Sequence, residues 1–275
     1  MTKTTANPSQ GSFDPSNPPG LRAQQAKWKL TFVFAAIVLV YMFTSWQTGS
    51  SLIDLWFGMP DVWRMVGELF PPNWGYATET WGRLSETIQM AIIATTVAGI
   101  LCIPISLMAS SNIAPNKWVY NITKQIMNIL RTIPDLLLAV IFVGIFGIGA
   151  FSGIMALIIF SLGILAKLLA ETIEAIDKNP LEAIRASGGN TIQVIVYGVI
   201  PQILPQYTSF TLYVFEINVR ASLVLGFVGA GGIGQLLQRS ISFFQYGRAM
   251  MIIIIIFVAV VIIEYISGKI REEIL

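Results

Sequence analysis

The stretch "EAIRASGGNTIQVIVYGVIPQILP", Glu182–Pro205, lies between two long apolar runs and carries two sets of helix start and stop signals within 24 residues. Asn179 is placed to cap a first helix, Pro180 suits its first position, and Glu182 falls where a carboxylate can answer the cap and meet the positive helix end. Gly188 and Gly189 end that helix, because glycine enters the left-handed region without a Cβ penalty. The grammar then repeats: Asn190 can cap, Gln193 stands three residues on, Ile192, Ile195, Val196 and Val199 share a face, and Pro201 closes the helix. Two short helices at a glycine corner make a compact projection. By capping and periodicity it is either a structured connector lying on a membrane surface or an element that docks a partner.

The surroundings of this stretch decide the fold class. Of 275 residues, 55% are hydrophobic and 12% charged, and the mean hydropathy is +0.70. Such a chain reads as all-α, a polytopic integral membrane protein. Spans are expected over Leu30–Trp46, Leu84–Ala109, Trp118–Gly147 with a proline interruption, Phe151–Ala170, Ile203–Leu225 and Ala249–Gly268, about six helices. Residues 1–26, rich in Pro, Ser, Asn, Gln and Gly, read as a disordered tail, and 27–47 as an N-terminal anchor, since no small-x-small cleavage site follows the apolar run. The segment 48–82, with turns at Pro60 and Pro71-Pro72 and many aromatics, suggests a short interfacial helix outside the membrane. The rest divides into a transmembrane domain over 83–268, with the capped loop at 177–202, and a tail over 269–275.

Lys and Arg, rather than net charge, set the orientation. A cytoplasmic N-terminus places Lys3, Arg22, Lys27, Lys29, Lys117, Lys178, Arg185, Lys269 and Arg271 inside, leaving Arg64, Arg83, Arg239 and Arg248 outside. Both termini and the capped loop are then cytoplasmic. A net charge of +2 with scattered basic residues offers nothing to nucleic acid. The chain has no histidine, and its single cysteine, Cys102, lies in an apolar run, so His-based catalysis, a thiolate metal cage and an intrachain disulfide are all out of reach. No catalytic residue and no metal ligand set is expected.

"GFVGAGGIG", Gly226–Gly234, has the G-x-G-x-x-G spacing at Gly229, Gly231 and Gly234. A dinucleotide site needs a βαβ unit and an acidic residue about twenty positions on; the chain there reads "MIIIIIF". Nor does it contain G-x-x-x-x-G-K-[ST], so it binds no ATP by a P-loop. Gly229, Gly231 and Gly232 fit either tight packing at membrane depth or mobile turns in an outer loop. Charges within the spans are costly in hydrocarbon and point to function. Glu216 and Arg220 stand four apart in "FEINVRAS", with Asn218 nearby, and Arg131 and Asp135 bracket Pro134 in "RTIPDLLLA". Each set is either a self-neutralising structural pair or part of a translocation path, where Arg131 and Arg220 would meet an anionic substrate.

Glu182-Ala183-Ile184, three residues, Gly188, nine residues, then Gly198-Val199-Ile200-Pro201 resembles the EAA loop of ABC importer permeases. That pattern is Glu-Ala-Ala, three residues, Gly, nine residues, Ile, one residue, Leu-Pro, so Ile184, Gly198 and Ile200 depart from it. With "RTIPDLLLAVIFVGIFGIGAFSGIMAL" and "YGVIPQILPQYTSFTLYVFEINVRASLVLGFVGAGGIG", the region from about Leu84 to Gly268 is similar to the phosphonate ABC-transporter permease family. The resemblance implies an importer permease fold in the plasma membrane and a coupling role for Glu182, Ala183, Arg185, Gly188 and Pro201. It also implies a homodimer, a cytoplasmic ATPase that uses ATP and Mg, and an external phosphonate-binding protein. This chain itself would bind no cofactor. Phosphite, phosphate or methionine importers share the architecture; a passive channel or membrane-embedded enzyme is the alternative of another class.

Overall fold

The computed structural model describes residues 20–274, and within them not the side chains of residues 20–27, 52 and 55. All regular structure among these residues is helical: α1 (Gly20–Thr48), α2 (Leu52–Leu69), α3 (Ala77–Met108), α4 (Lys117–Thr132), α5 (Asp135–Phe146), α6 (Ala150–Ala175), α7 (Asn179–Ala186), α8 (Thr191–Gln193), α9 (Ile200–Leu225), α10 (Gly232–Ser242) and α11 (Tyr246–Ile274). The chain falls into two units, divided between Met65 and Val66.

In the first unit, α1 begins at Gly20, inside the expected tail, because residues 21–29 are mostly good helix formers; the remainder of the tail, 1–19, lies outside the described residues. The apolar part, Trp28–Thr48, is long enough to cross a bilayer. A reciprocal cap opens α2: Ser51 N donates to Asp54 Oδ2 at 2.7 Å and Asp54 N to Ser51 Oγ at 3.2 Å. The two donors of Ser51 hold the Asp54 carboxyl below the usual carboxylate range. Pro60 does not make the expected turn; it lies inside α2, which continues to Leu69.

In the second unit α3 and α6 form the central pair, with α9 packed on both. Their contact faces are small: Ala94 on α3 clusters with Ala156 on α6, and Ala98 and Cys102 with Ala166 and Ala170, all buried. Without a hydrophobic driving force inside a bilayer, such faces hold helices by close van der Waals approach. Four spans of this unit are long and apolar: Trp74–Met108, Ala150–Ala175, Thr191–Val228 and Tyr246–Ile274. The first starts before the expected Leu84 and the last runs past Gly268 through Arg271, whose charge is satisfied by a helix partner described below.

The expected Trp118–Gly147 span is broken at its proline, as the interruption implied. Helices α4 and α5 meet at 89°. The cause is local: Ile133, preceding Pro134, takes an extended backbone (φ −82°, ψ 120°), as a residue before proline must. Asn116 caps α4 through Oδ1, which accepts from Val119 N at 2.8 Å, and Gly147 ends α5 at φ +87°. A further helix, α10, was not expected from the sequence.

Candidate functional site

The capped loop is built on a buried floor. Leu181 is buried, and with half-buried Ile184 it joins Ile173, Val194, Val199 and Ile203 in one apolar cluster. Gly198 makes room for them, since a Cβ there would lie 3.3 Å from both Leu181 Cδ1 and Ile184 Cδ1. With its apolar face down, α7 presents Glu182, Ala183, Arg185 and Gly188 outward, all exposed.

The corner after α7 is a Schellman turn. Gly189 N donates to Ile184 O at 2.9 Å and Gly188 N to Arg185 O at 3.0 Å, with Gly188 at φ +86°. The second start signal forms as read: Asn190 Oδ1 accepts from Gln193 N at 2.9 Å and Asn190 N donates to Gln193 Oε1 at 2.8 Å. The first does not. Asn179 is already the first residue of α7, its N–H is taken by Asp177 Oδ1 at 3.0 Å, and Glu182 projects to solvent rather than back to the cap.

Beyond the second cap the structure departs twice from expectation. Pro201 does not close the helix: α8 passes into a π-helical turn, Val194–Val199, and on into α9, giving one path from Thr191 to Val228. Pro201 sits in the first turn of α9, where its missing N–H costs least. The wider π turn also rotates the face, so the buried side is Val194, Gly198 and Val199, while Ile192, Val196 and Tyr197 are exposed. A residue that the sequence reading missed fastens the loop. Gln202 Nε2 donates to Gly198 O at 2.7 Å and to Asp177 O at 3.3 Å, and Gln202 Oε1 accepts from Asp177 N at 3.1 Å. Its signal was an amide set in an apolar run, which must find partners when buried.

The glycine stretch is a packed turn. Gly229 lies at φ +88° and Ala230 N donates back to Leu225 O at 3.2 Å, ending α9, while Gly149 N donates to Gly229 O at 2.9 Å. Gly231, at φ +81°, approaches so closely that a Cβ would lie 2.8 Å from Ala150 N. The first N–H groups of α10 are met from α3: Ile233 N donates to Thr87 Oγ1 at 2.8 Å, and Glu86 Oε1 faces Gly232 N at 3.5 Å. The carboxylate thus lies at the positive end of the short helix. Mobile outer turns are not what these residues form.

The two intrahelical charge pairs do not form. Glu216 is buried and paired across helices with Arg271 of α11, Nη2 to Oε1 at 2.6 Å, leaving Arg220 exposed beside Glu264 at the same cleft. A partner on a neighbouring helix wins because Glu216 points inward from α9 and Arg220 outward. Arg131 and Asp135 are separated by the bend, and Asp135 Oδ1 instead accepts from Leu136 N at 2.8 Å. Asn218 is fully buried and joins three helices, its Nδ2 donating to Thr95 Oγ1 at 2.8 Å and Ser161 Oγ at 2.7 Å. It ties these helices together.

A rigid, partly solvent-facing loop on a bundle with bent and broken spans is the layout of a transport permease. A profile described as binding-protein-dependent transport system inner membrane component matches residues 102–270, and the chain belongs to that family. More particularly, it is 35% identical over 247 residues to the phosphite transport system permease protein PtxC of Stutzerimonas stutzeri, covering 89% of this chain and 88% of the relative. Over 119 residues it is 44% identical to a protein named for a cryptic phosphonate transport system permease, PhnE2 of Escherichia coli K12, covering 43% of this chain and 98% of that one. Among solved structures, the inward-facing MetNI methionine ABC transporter matches at a TM-score of 0.61 and 21% identity, over 70% of this chain and 94% of that chain. That likeness bears on the fold alone.

Proposed function

We propose that this chain is the permease subunit of an ATP-driven phosphonate importer in the plasma membrane, with its capped loop and both termini in the cytoplasm. A cytoplasmic ATPase, using ATP and Mg, docks on Glu182, Ala183 and Arg185, Gly188 forms the corner that presents them, and Pro201 carries the motion into α9. An external binding protein delivers the substrate to a path formed with a second copy. The observation that carries the coupling role is the loop itself: two capped helical pieces, a Schellman corner and the Gln202 clamp hold an exposed surface on a buried floor. A passive channel has no use for such a lever.

The substrate class is supported by relatives named for phosphonate and phosphite transport. Phosphite is the second reading, because the phosphite-named relative matches over the greater part of the chain. The chain carries no ATP-binding or catalytic motif of its own. ATP-dependent uptake of labelled 2-aminoethylphosphonate into proteoliposomes bearing the whole complex, with phosphite and phosphate as competitors, is the test. Uptake that requires ATP and is outcompeted last by phosphate is expected; methionine uptake, or flux without ATP, would overturn the reading.

A further inference from the structure

Arg131 occupies an unusual place. It ends α4 at the 89° bend, and its backbone lies against Gly163, midway along α6 (Ala150–Ala175), where a Cβ would come within 3.4 Å of Arg131 N. At 1.5 Å per residue that is about 20 Å from either end of α6, so where α6 crosses a bilayer the Arg131 backbone lies near mid-depth, where hydrocarbon is most hostile to charge, and its side chain is exposed on the bundle. Its side chain makes no ion pair or hydrogen bond among the described residues; Arg185, Arg220 and Arg239 are likewise unpaired, so what sets Arg131 apart is its place against the middle of α6. A guanidinium at that depth needs an anion or water beside it.

Beside it is a cavity of about 370 Å³ lined by Arg131, by Phe160, Ile164 and Leu168 of α6, and by Tyr213 and Ile217 of α9. The α6 residues recur every fourth position and so form one wall, and Tyr213 and Ile217 form another. The volume falls within the ~300–1,000 Å³ of small-molecule sites, and the lining has their usual character of apolar walls with a few polar groups.

We infer that this cavity is a transit site in which the Arg131 guanidinium and the Tyr213 hydroxyl hold the oxyanion head of a phosphonate while Phe160, Ile164, Leu168 and Ile217 receive its carbon substituent. The assignment rests on the oxyanion-import reading above and goes further by choosing among its substrates. The planar guanidinium matches two oxygens of a tetrahedral head at once, and a phenol adds one donor. Phosphite and phosphate have no apolar part to bury against the walls. One cation facing a dianion gives a site firm enough to enter and loose enough to leave, as conduction through successive sites requires.

The test uses the complete complex in proteoliposomes with one binding protein throughout, measuring ATP-dependent uptake of ethylphosphonate and of phosphite per assembled complex. Arg131→Gln should lower uptake of both anions about tenfold or more, the worth of a hydrogen bond to a charged group, and Arg131→Lys should restore part of it. Leu168→Ser should lower ethylphosphonate uptake about fourfold relative to phosphite, the worth of one buried methylene. If Arg131→Gln does not assemble, Arg131→Lys and Tyr213→Phe decide, each raising the concentration for half-maximal uptake with little change in maximal rate. Wild-type rates in the Arg131 variants would overturn the site, and equal loss of both anions in Leu168→Ser would overturn the role of its walls. No uptake of either anion by the wild-type complex would instead count against the importer reading.

Discussion

At the scale of single residues, the glycines separate into those that geometry requires and those it does not. A Cβ at Gly234 would run into the carbonyl of Leu223 and the Cα of Gly226, whereas at Gly144, inside α5, it would meet nothing within 4 Å. Gly234→Ala should therefore destabilise by about 1–3 kcal/mol or more, the cost of overpacking, and Gly144→Ala should be neutral or stabilising by up to about 1 kcal/mol. Thermal unfolding of the detergent-solubilised protein measures both, and equal melting temperatures would contradict the packed-turn account. The glycine-rich run was legible in the sequence as a special backbone, but its two readings divided on partners, Ala150 and Thr87, that lie about 80 and 145 positions away and leave no local trace. The same distance hid the ion pair of Glu216, whose partner Arg271 is 55 residues on, while Arg220 four residues away was the visible decoy.

Among elements, the loop shows what local chemistry can and cannot dictate. The Asn190–Gln193 box and the Gly188 corner depend on residues within five positions of one another, and both could be read directly. Asn190→Ala removes the acceptor for the Gln193 amide and should cost about 1 kcal/mol locally. Hydrogen exchange at the Thr191–Gln193 amides should quicken severalfold, with α6 unchanged; unaltered exchange would show that the cap does not hold the element. The π turn that carries the chain through Pro201, and the rotation of its buried face, were not legible, because periodicity arguments assume 3.6 residues per turn throughout. A substitution at Gln202 tests the clamp: Gln202→Ala, losing the bonds to Asp177, should loosen the junction between α7 and α9 and weaken coupling more than assembly. Coupling is read as uptake per ATP hydrolysed, and an unchanged ratio would make Gln202 a merely local tie.

Over the whole molecule, the long apolar runs made the polytopic class plain, because a bilayer demands about 20 apolar residues per crossing and few soluble folds supply them repeatedly. The proline break between α4 and α5 was legible, but its right angle was not, nor was the eleven-residue α10, too short and too polar on one side to register as a span; bilayers tolerate such features only when protein surrounds them. These irregular pieces bring Arg131 against the middle of α6 beside a pocket and pack the Gly229–Gly234 turn against α3 and α6. The central claim is that the loop is a lever through which a partner ATPase drives uptake, and Gly188 offers the cleanest handle, since at φ +86° nothing but its backbone conformation resists a side chain. ATP-dependent uptake of 2-aminoethylphosphonate should therefore be measured for the wild type, Gly188→Asn and Gly188→Val, at equal amounts of protein in the membrane. Asparagine tolerates the left-handed region and a β-branched residue does not, so the account predicts uptake retained with Asn and abolished with Val; unchanged uptake with Val, or uptake that needs no ATP, would contradict it.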